Sequence, residues 1–232
     1  MKKVITFALQ KSVPIMLGYI FLGMAFGLVL EKAGLGLFWA FLSSAIIYAG
    51  SMQFALVGIL SGGLGFVSTA VMTLFINSRH AFYGFTFLER FRKMGVFFPY
   101  MVFSLTDETY SLLCSAAKPN DFSDREWKYA SFFIALFDQL YWVIGSLLGN
   151  AAGQLITFDS TGIDFAMTAL FVVICVDQWK AAKTHIPALV GFACGIVFLV
   201  LILSANFILP ALIAVVALLF FLRGSVEQKM EE

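Results

Sequence analysis

Read from end to end, the chain alternates long apolar runs with short polar joints. The runs lie near residues 13–30, 37–60, 64–88, 94–115, 128–149, 163–179, 186–204 and 206–222. Runs longer than about 18 residues recur, the signature of membrane-crossing helices. The period-two alternation that a transmembrane strand needs is missing. The joints "EKAGLG", "SGG" and "ERFRK" are short, and the one longer hydrophilic loop is "AKPNDFSDREWK" at 117–128. Ser123 and Glu126 in that loop have capping-box spacing, which predicts a helix starting there. Pro187 and Pro210 fall near the starts of their runs, where a missing N–H costs least. The pattern predicts an all-α polytopic transmembrane bundle of about 6–8 segments, some broken or re-entrant, forming a single membrane domain over residues 1–232.

Composition agrees with the pattern. Hydrophobic residues make up 61% of the chain, charged residues 12%, and the mean hydropathy is +0.93. Soluble domains carry about 25% charged residues. The net charge of +1 implies no nucleic-acid partner. Cys114, Cys175 and Cys194 are odd in number and embedded in apolar sequence, which suits packing better than a disulfide framework or a metal site. Gln10, Lys11 and Pro14 interrupt any signal-peptide core, so a basic amino terminus held inside is expected, with nothing cleaved.

Lysine and arginine placement orients the chain. Lys2, Lys3 and Lys11, then Lys118, Arg125 and Lys128, then Lys180 and Lys183, then Arg223 and Lys229 mark cytoplasmic segments, with both termini inside. Eight full crossings satisfy these but leave Arg90, Arg92 and Lys93 outside. Bringing that cluster inside requires one early run not to cross and 94–115 to dip. Charge alone does not choose between the two. Gly23 with Gly27, Gly145 with Gly149 and Gly191 with Gly195 are each four apart, a spacing that lets helix backbones approach, by tight packing or at a dimer face. "MAFGLVLEKAG" echoes "WVIGSLLGNAAG", and "MQF" echoes "VDQW", a weak sign of an internal repeat.

Ionisable groups at membrane depth are costly and mark function. Asn77, Ser78, Arg79 and His80 interrupt the run 64–88, and Tyr83 lies on the same helical face as Arg79. Arg79 is expected to meet a substrate carboxylate or the carboxylate of Asp138, which has no basic neighbour within a turn; the other reading is two short helices with Arg79 snorkelling from an end. In "YAGSMQF", Gly50 and Ser51 form a point where a helix can unwind, exposing a helix N-terminus suited to an anion, with the amide of Gln53 beside it. A packed Gly-Ser contact is the structural alternative. Asp107 and Glu108 either cap a short re-entrant helix or, with Asp138, carry a proton. Asp177 and Gln178 lie nearer a helix end. No cofactor, metal or nucleotide motif is present.

"PIMLGYIFLGMAFG" at 14–27, "YAGSMQF" at 48–54, "NSRHAFYG" at 77–84 and "TDETY" at 106–110 follow one another as in the AzlC family, large subunits of branched-chain amino-acid exporters, which this chain resembles over nearly its whole length. The resemblance implies a permease of the prokaryotic cytoplasmic membrane that exports leucine, isoleucine, valine and toxic analogues such as azaleucine. It also implies a small hydrophobic AzlD-like partner subunit. Family knowledge transfers no binding residue, so the assignments rest on burial: Gly50, Ser51, Gln53, Asn77, Arg79, His80 and Tyr83 for substrate, and Asp138, Glu108 and Asp107 for proton coupling. Two other classes stay open. One is a passive channel or facilitator for another small solute; the other is a lipid-acting enzyme, for which the acidic ligands that Mg²⁺ needs are too few.

Overall fold

The computed structural model describes residues 1–62, 65–155, 172, 175, 176, 179, 180, 182, 184–202 and 207–222, without the side chains of 61, 62, 75, 78, 79, 81, 82, 208, 209 and 212. Asp177, Gln178 and nearly all of the apolar run 163–179 lie outside the described residues. Among the described residues there is no strand. The helices are α1 (Lys2–Lys32), α2 (Leu37–Ile46), α3 (Gly50–Gly62), α4 (Phe66–Arg92), α5 (Phe98–Phe103), α6 (Asp107–Ser115), α7 (Asp124–Leu155), α8 (Ile186–Ile202) and α9 (Ile208–Phe221), with a 3₁₀ turn over Gly95–Phe97. They fall into two compact units, Met1–Leu64 with Ile76–Ser160, and Gly65–Phe75 with Thr161–Glu232.

The first unit is built on α1 and α7, of 31 and 32 residues. At 1.5 Å per residue each spans roughly 47 Å, more than a bilayer's hydrocarbon core. The capping box forms as the spacing predicts: Ser123 N and Oγ both donate to Glu126 Oε2 at 2.8 Å, and Glu126 N donates to Ser123 Oγ at 3.2 Å. α1 begins earlier than its apolar run, at Lys2, and carries Pro14 inside it. The basic amino terminus is therefore already helical. It is fastened at that end by Lys3, whose ammonium lies 2.6 Å from Asp121 Oδ2 and 4.7 Å above the Phe122 ring. The same ammonium holds the Asp121 carboxyl below its ordinary pKa.

α1 and α7 run parallel and touch along their whole length. Val4 packs with Ala130, Ala8 with Ile134 and Ala135, and Ser12 Oγ lies 3.1 Å from Tyr141 Oη. Further along, a Cβ on Gly23 would stand 2.9 Å from Trp142 O, and one on Gly145 would stand 2.6 Å from Ile20 O. Gly27 against Ser146 O and Gly149 against Met24 O are closer still. These four glycines thus serve a close approach within one chain. The echoing segments, 24–34 and 142–153, are the two walls of that contact.

Two short hairpins lean on this pair from opposite ends. α2 starts where Asn150 donates to Leu35 O at 2.9 Å, and it runs toward the middle of α7, where Gln139 donates to Ala45 O at 3.0 Å. The chain then turns. α3 heads back, with Gln53 at Trp142 and Phe54 against Phe26. From the other end, Phe97 packs on Tyr129 and Phe132; α5 and α6 then run in to Tyr19 and Asp138 and return to Leu113. There Arg90 donates to Leu113 O at 3.1 Å and Ser131 Oγ at 2.9 Å, 5.1 Å over Trp127. The carboxyl end of α4, with Phe91 buried beside Ala8 and Ile134, therefore sits at the same end as Lys3 and Asp121.

The outer surface is apolar, with Leu17 and Phe21 of α1 70% and 74% exposed. In the second unit α8 and α9 pack together, and α8 buries only Cys194 among its described side chains. Long exposed apolar faces of this kind suit lipid.

Candidate functional site at two helix breaks

The two hairpin turns meet the middle of α1 and α7. Between α2 and α3 the turn is made at Tyr48, buried, with a left-handed φ of 42°. A non-glycine residue held there costs about 1–3 kcal/mol, so its surroundings over-determine it. α3 starts two residues later, at Gly50, where a Cβ would lie 3.2 Å from the Trp142 ring. Between α5 and α6 the break spans Ser104 to Thr106. Thr106 caps α6, its Oγ1 accepting from Thr109 N at 3.3 Å. Asp107 and Glu108 occupy the first turn of α6, where the helix dipole favours negative charge.

A row of polar groups crosses this junction. Tyr19 Oη donates to Glu108 Oε2 at 2.6 Å and also lies 2.6 Å from Thr106 Oγ1. Thr106 Oγ1 donates to Thr109 Oγ1 at 3.2 Å, and Thr109 Oγ1 donates to Asp138 Oδ2 at 2.8 Å. Asp138 is 0% exposed, and its other oxygen, Oδ1, has no hydrogen-bond partner. Tyr48 Oη and Ser104 Oγ are also buried and unsatisfied. The Tyr48 ring packs 6.2 Å from Phe103, next in the chain to Ser104, and its hydroxyl is within electrostatic reach of Asp138 and Glu108. Two unsatisfied hydroxyls and the free oxygen of a buried carboxylate are costly unless something binds there.

The predicted residues divide into three sets. Asp138, Glu108 and Asp107 come to the junction, but the described partner of Asp138 is Thr109. Arg79 and Ser78 have side chains outside the described residues; the α4 backbone runs through them without interruption, so the run 64–88 forms one helix and not two short ones. His80 Nε2 lies 4.0 Å from Asp107 Oδ1, and Tyr83 stacks on Tyr110 at 4.4 Å, which sets this face of α4 against α6. Asn77 is half-buried, with Oδ1 unsatisfied. Gln53 is wholly buried, accepting from Trp142 Nε1 at 2.9 Å and donating to Ser44 Oγ at 3.3 Å. Gly50 and Ser51 form the first turn of α3.

Sequence reasoning missed Tyr19, Tyr48, Thr106 and Thr109. Hydroxyl residues are unremarkable in membrane helices, and the carboxylate partners of Tyr19 and Thr109 lie 89 and 29 positions away. The groove in the second unit, of about 520 Å³, is lined by Gly191, Phe192, Gly195, Ile196 and Leu199 and has no charged residue to offer a polar ligand. Among the described residues no three His, Cys, Asp or Glu side chains gather as metal ligands.

Apolar-faced helices around a polar centre made by two helix breaks define a helical membrane protein. Similarity gives the family. A family model described as AzlC protein matches residues 14–156. The branched-chain amino acid transport protein AzlC of Bacillus subtilis is 35% identical over 95% of this chain and 86% of its own length. Membrane proteins named as uncharacterized in Haemophilus influenzae and Helicobacter pylori are 35% and 34% identical over 95% of this chain, covering 89% and 95% of their own lengths. The chain belongs to the AzlC family. No solved structure matches it.

Proposed function

We propose that this protein is a secondary transporter that exports branched-chain amino acids across the cytoplasmic membrane, driven by the proton gradient and working with a small AzlD-like subunit. The observation that carries the reading is the junction of two half-helix hairpins on a buried carboxylate, in a chain 35% identical to a relative named for branched-chain amino acid transport. Broken helices at the middle of a bundle are how transporters bind small polar solutes. The first turn of α3, at Gly50 and Ser51, offers a positive dipole end to a substrate carboxylate. Asp138 Oδ1 and the Tyr48 and Ser104 hydroxyls offer acceptors to its ammonium. Asn77, His80 and Tyr83 belong to the α4 side, and we assign Arg79 of the same helix as a second hold on the carboxylate or a counter-charge to Asp138.

The placement of charge supports a crossing scheme. Lys3, Arg90 and Lys118 belong to one end of the first unit, the cytoplasmic end on the positive-inside rule. In this scheme α1, α4 and α7 cross, while α2–α3 and α5–α6 dip from opposite sides, with both termini cytoplasmic. The direct test is uptake of radiolabelled leucine into proteoliposomes with and without an imposed proton gradient. Saturable flux that rises with the gradient is expected. Unsaturable flux indifferent to pH would instead make the protein a passive channel.

A further inference from the structure

Glu108 is exposed and Asp138 wholly buried, yet an unbroken row of hydroxyls joins them. The steps are Glu108 Oε2 to Tyr19 Oη at 2.6 Å, Tyr19 Oη to Thr106 Oγ1 at 2.6 Å, Thr106 Oγ1 to Thr109 Oγ1 at 3.2 Å and Thr109 Oγ1 to Asp138 Oδ2 at 2.8 Å. Each hydroxyl has one hydrogen to give and two lone pairs to accept with. The row thus has four links but three hydroxyl hydrogens. With both carboxyls ionised, Tyr19 donates to Glu108 and Thr109 to Asp138, and the hydrogen of Thr106 can fill only one of the two links left. Two oxygens then face each other with nothing between them.

One added proton completes the row in either of two ways. On Asp138, its O–H donates to Thr109, Thr109 to Thr106, Thr106 to Tyr19 and Tyr19 to ionised Glu108. On Glu108, every donation is reversed. The two arrangements differ only by moving each hydrogen one place along. Tyr19, Thr106 and Thr109 are buried, so their hydroxyls are shielded from bulk solvent, and Thr109 N holds the Thr106 oxygen in place.

We propose that Tyr19, Thr106 and Thr109 form a proton relay that carries one proton between Glu108 and Asp138. Buried chains of this kind serve pumps and transporters as proton paths. The step balances: Glu108 loses a proton to the Tyr19 oxygen, each hydroxyl passes its own hydrogen on, and Asp138 Oδ2 gains one. Other titratable groups facing the row are Tyr48 at the α2–α3 turn and Tyr100 of α5, while His80 of α4 faces Asp107. The inference rests on the transport reading, and adds to it the route by which a proton reaches the buried carboxylate. Neutralising Asp138 would release an ammonium held at Oδ1, which ties proton arrival to substrate departure.

The test uses the full-length protein and its Tyr19→Phe, Thr109→Val and Thr109→Ser variants in proteoliposomes, with two readouts. One is leucine-driven proton movement, followed with an enclosed pH dye; the other is leucine–leucine exchange, which needs no net proton transfer. Proton movement is expected to fall about tenfold or more in Tyr19→Phe and Thr109→Val, far more than exchange, and to persist in Thr109→Ser, which keeps the hydroxyl. Equal falls in both readouts, or full coupling in Tyr19→Phe, would overturn the relay.

Infrared spectroscopy of the purified protein decides the relay even where leucine does not move. One protonated-carboxyl band is expected, present in wild type and in Glu108→Gln, shifted in Thr109→Val and lost in Asp138→Asn Glu108→Gln. A band indifferent to both hydroxyl deletions would reject the shared proton. Absence of leucine transport by wild type would reject the transport reading alone.

Discussion

Two buried side chains at the centre do opposite kinds of work, and substitution separates them. Asp138 leaves one oxygen without a partner, so its charge is available for a ligand. Asp138→Asn keeps the shape and removes the charge. Losing one partner of a buried charge pair costs about 2–5 kcal/mol, so leucine flux is expected to fall about 30-fold or more at 1.4 kcal/mol per tenfold, with little change in melting temperature. Gln53 has both ends of its amide engaged, by Trp142 and Ser44. Gln53→Leu strands the Trp142 N–H in the core and is expected to destabilise by about 1–3 kcal/mol, read as a lower melting temperature in detergent. An unchanged melting temperature would show that Gln53 is free to serve substrate, as its place in "YAGSMQF" had suggested. Asp138 and Glu108 stood out in the sequence because a carboxylate in apolar surroundings is rare. Tyr19 and Thr109 did not, because a hydroxyl residue in a membrane helix is common and only its distant partner gives it meaning.

Helix packing gives the next prediction. Gly149→Ala would drive a methyl into Met24 O along the α1–α7 seam, whereas Gly195 of α8 has no described atom within 4 Å of a Cβ. Overpacking typically costs about 1–3 kcal/mol, and a rigid backbone on the far side leaves little room to relax. Gly149→Ala is expected to cut the yield of monodisperse protein several-fold, and Gly195→Ala to leave it unchanged, both read by size-exclusion chromatography. The glycine spacing was visible in the sequence, but spacing alone does not say which helix lies opposite. The helix break was also legible near Gly50 and Ser51, although the turn itself falls at Tyr48. A Gly-Ser pair marks where a helix can flex, whereas this turn is held by burial of a rigid aromatic ring. The polar group Asn77 to His80 left α4 unbroken, since these side chains interrupt hydrophobicity without removing any backbone N–H.

At the scale of the molecule, the parallel pairing of α1 with α7 constrains the topology. Parallel neighbours that both cross must start on the same side, so the chain from 33 to 123 has to return across the membrane a net odd number of times. The three apolar runs in that interval, 37–60, 64–88 and 94–115, meet this condition if all of them cross. It is met equally if α2–α3 and α5–α6 each enter and leave on one face, with α4 alone crossing. The same scheme brings Arg90, Arg92 and Lys93 to the end that holds Lys3 and Lys118, removing the one violation of the positive-inside rule. Single cysteines decide it, placed in a background with Cys114, Cys175 and Cys194 replaced. Exposed positions Lys93 and Lys118 are expected to react with a membrane-impermeant thiol reagent only from the cytoplasmic side, and Leu155, 85% exposed at the far end of α7, only from the opposite side. Labelling of Lys93→Cys and Leu155→Cys from the same face would require α5 and α6 to span the bilayer, and the two-hairpin scheme would fall with that result.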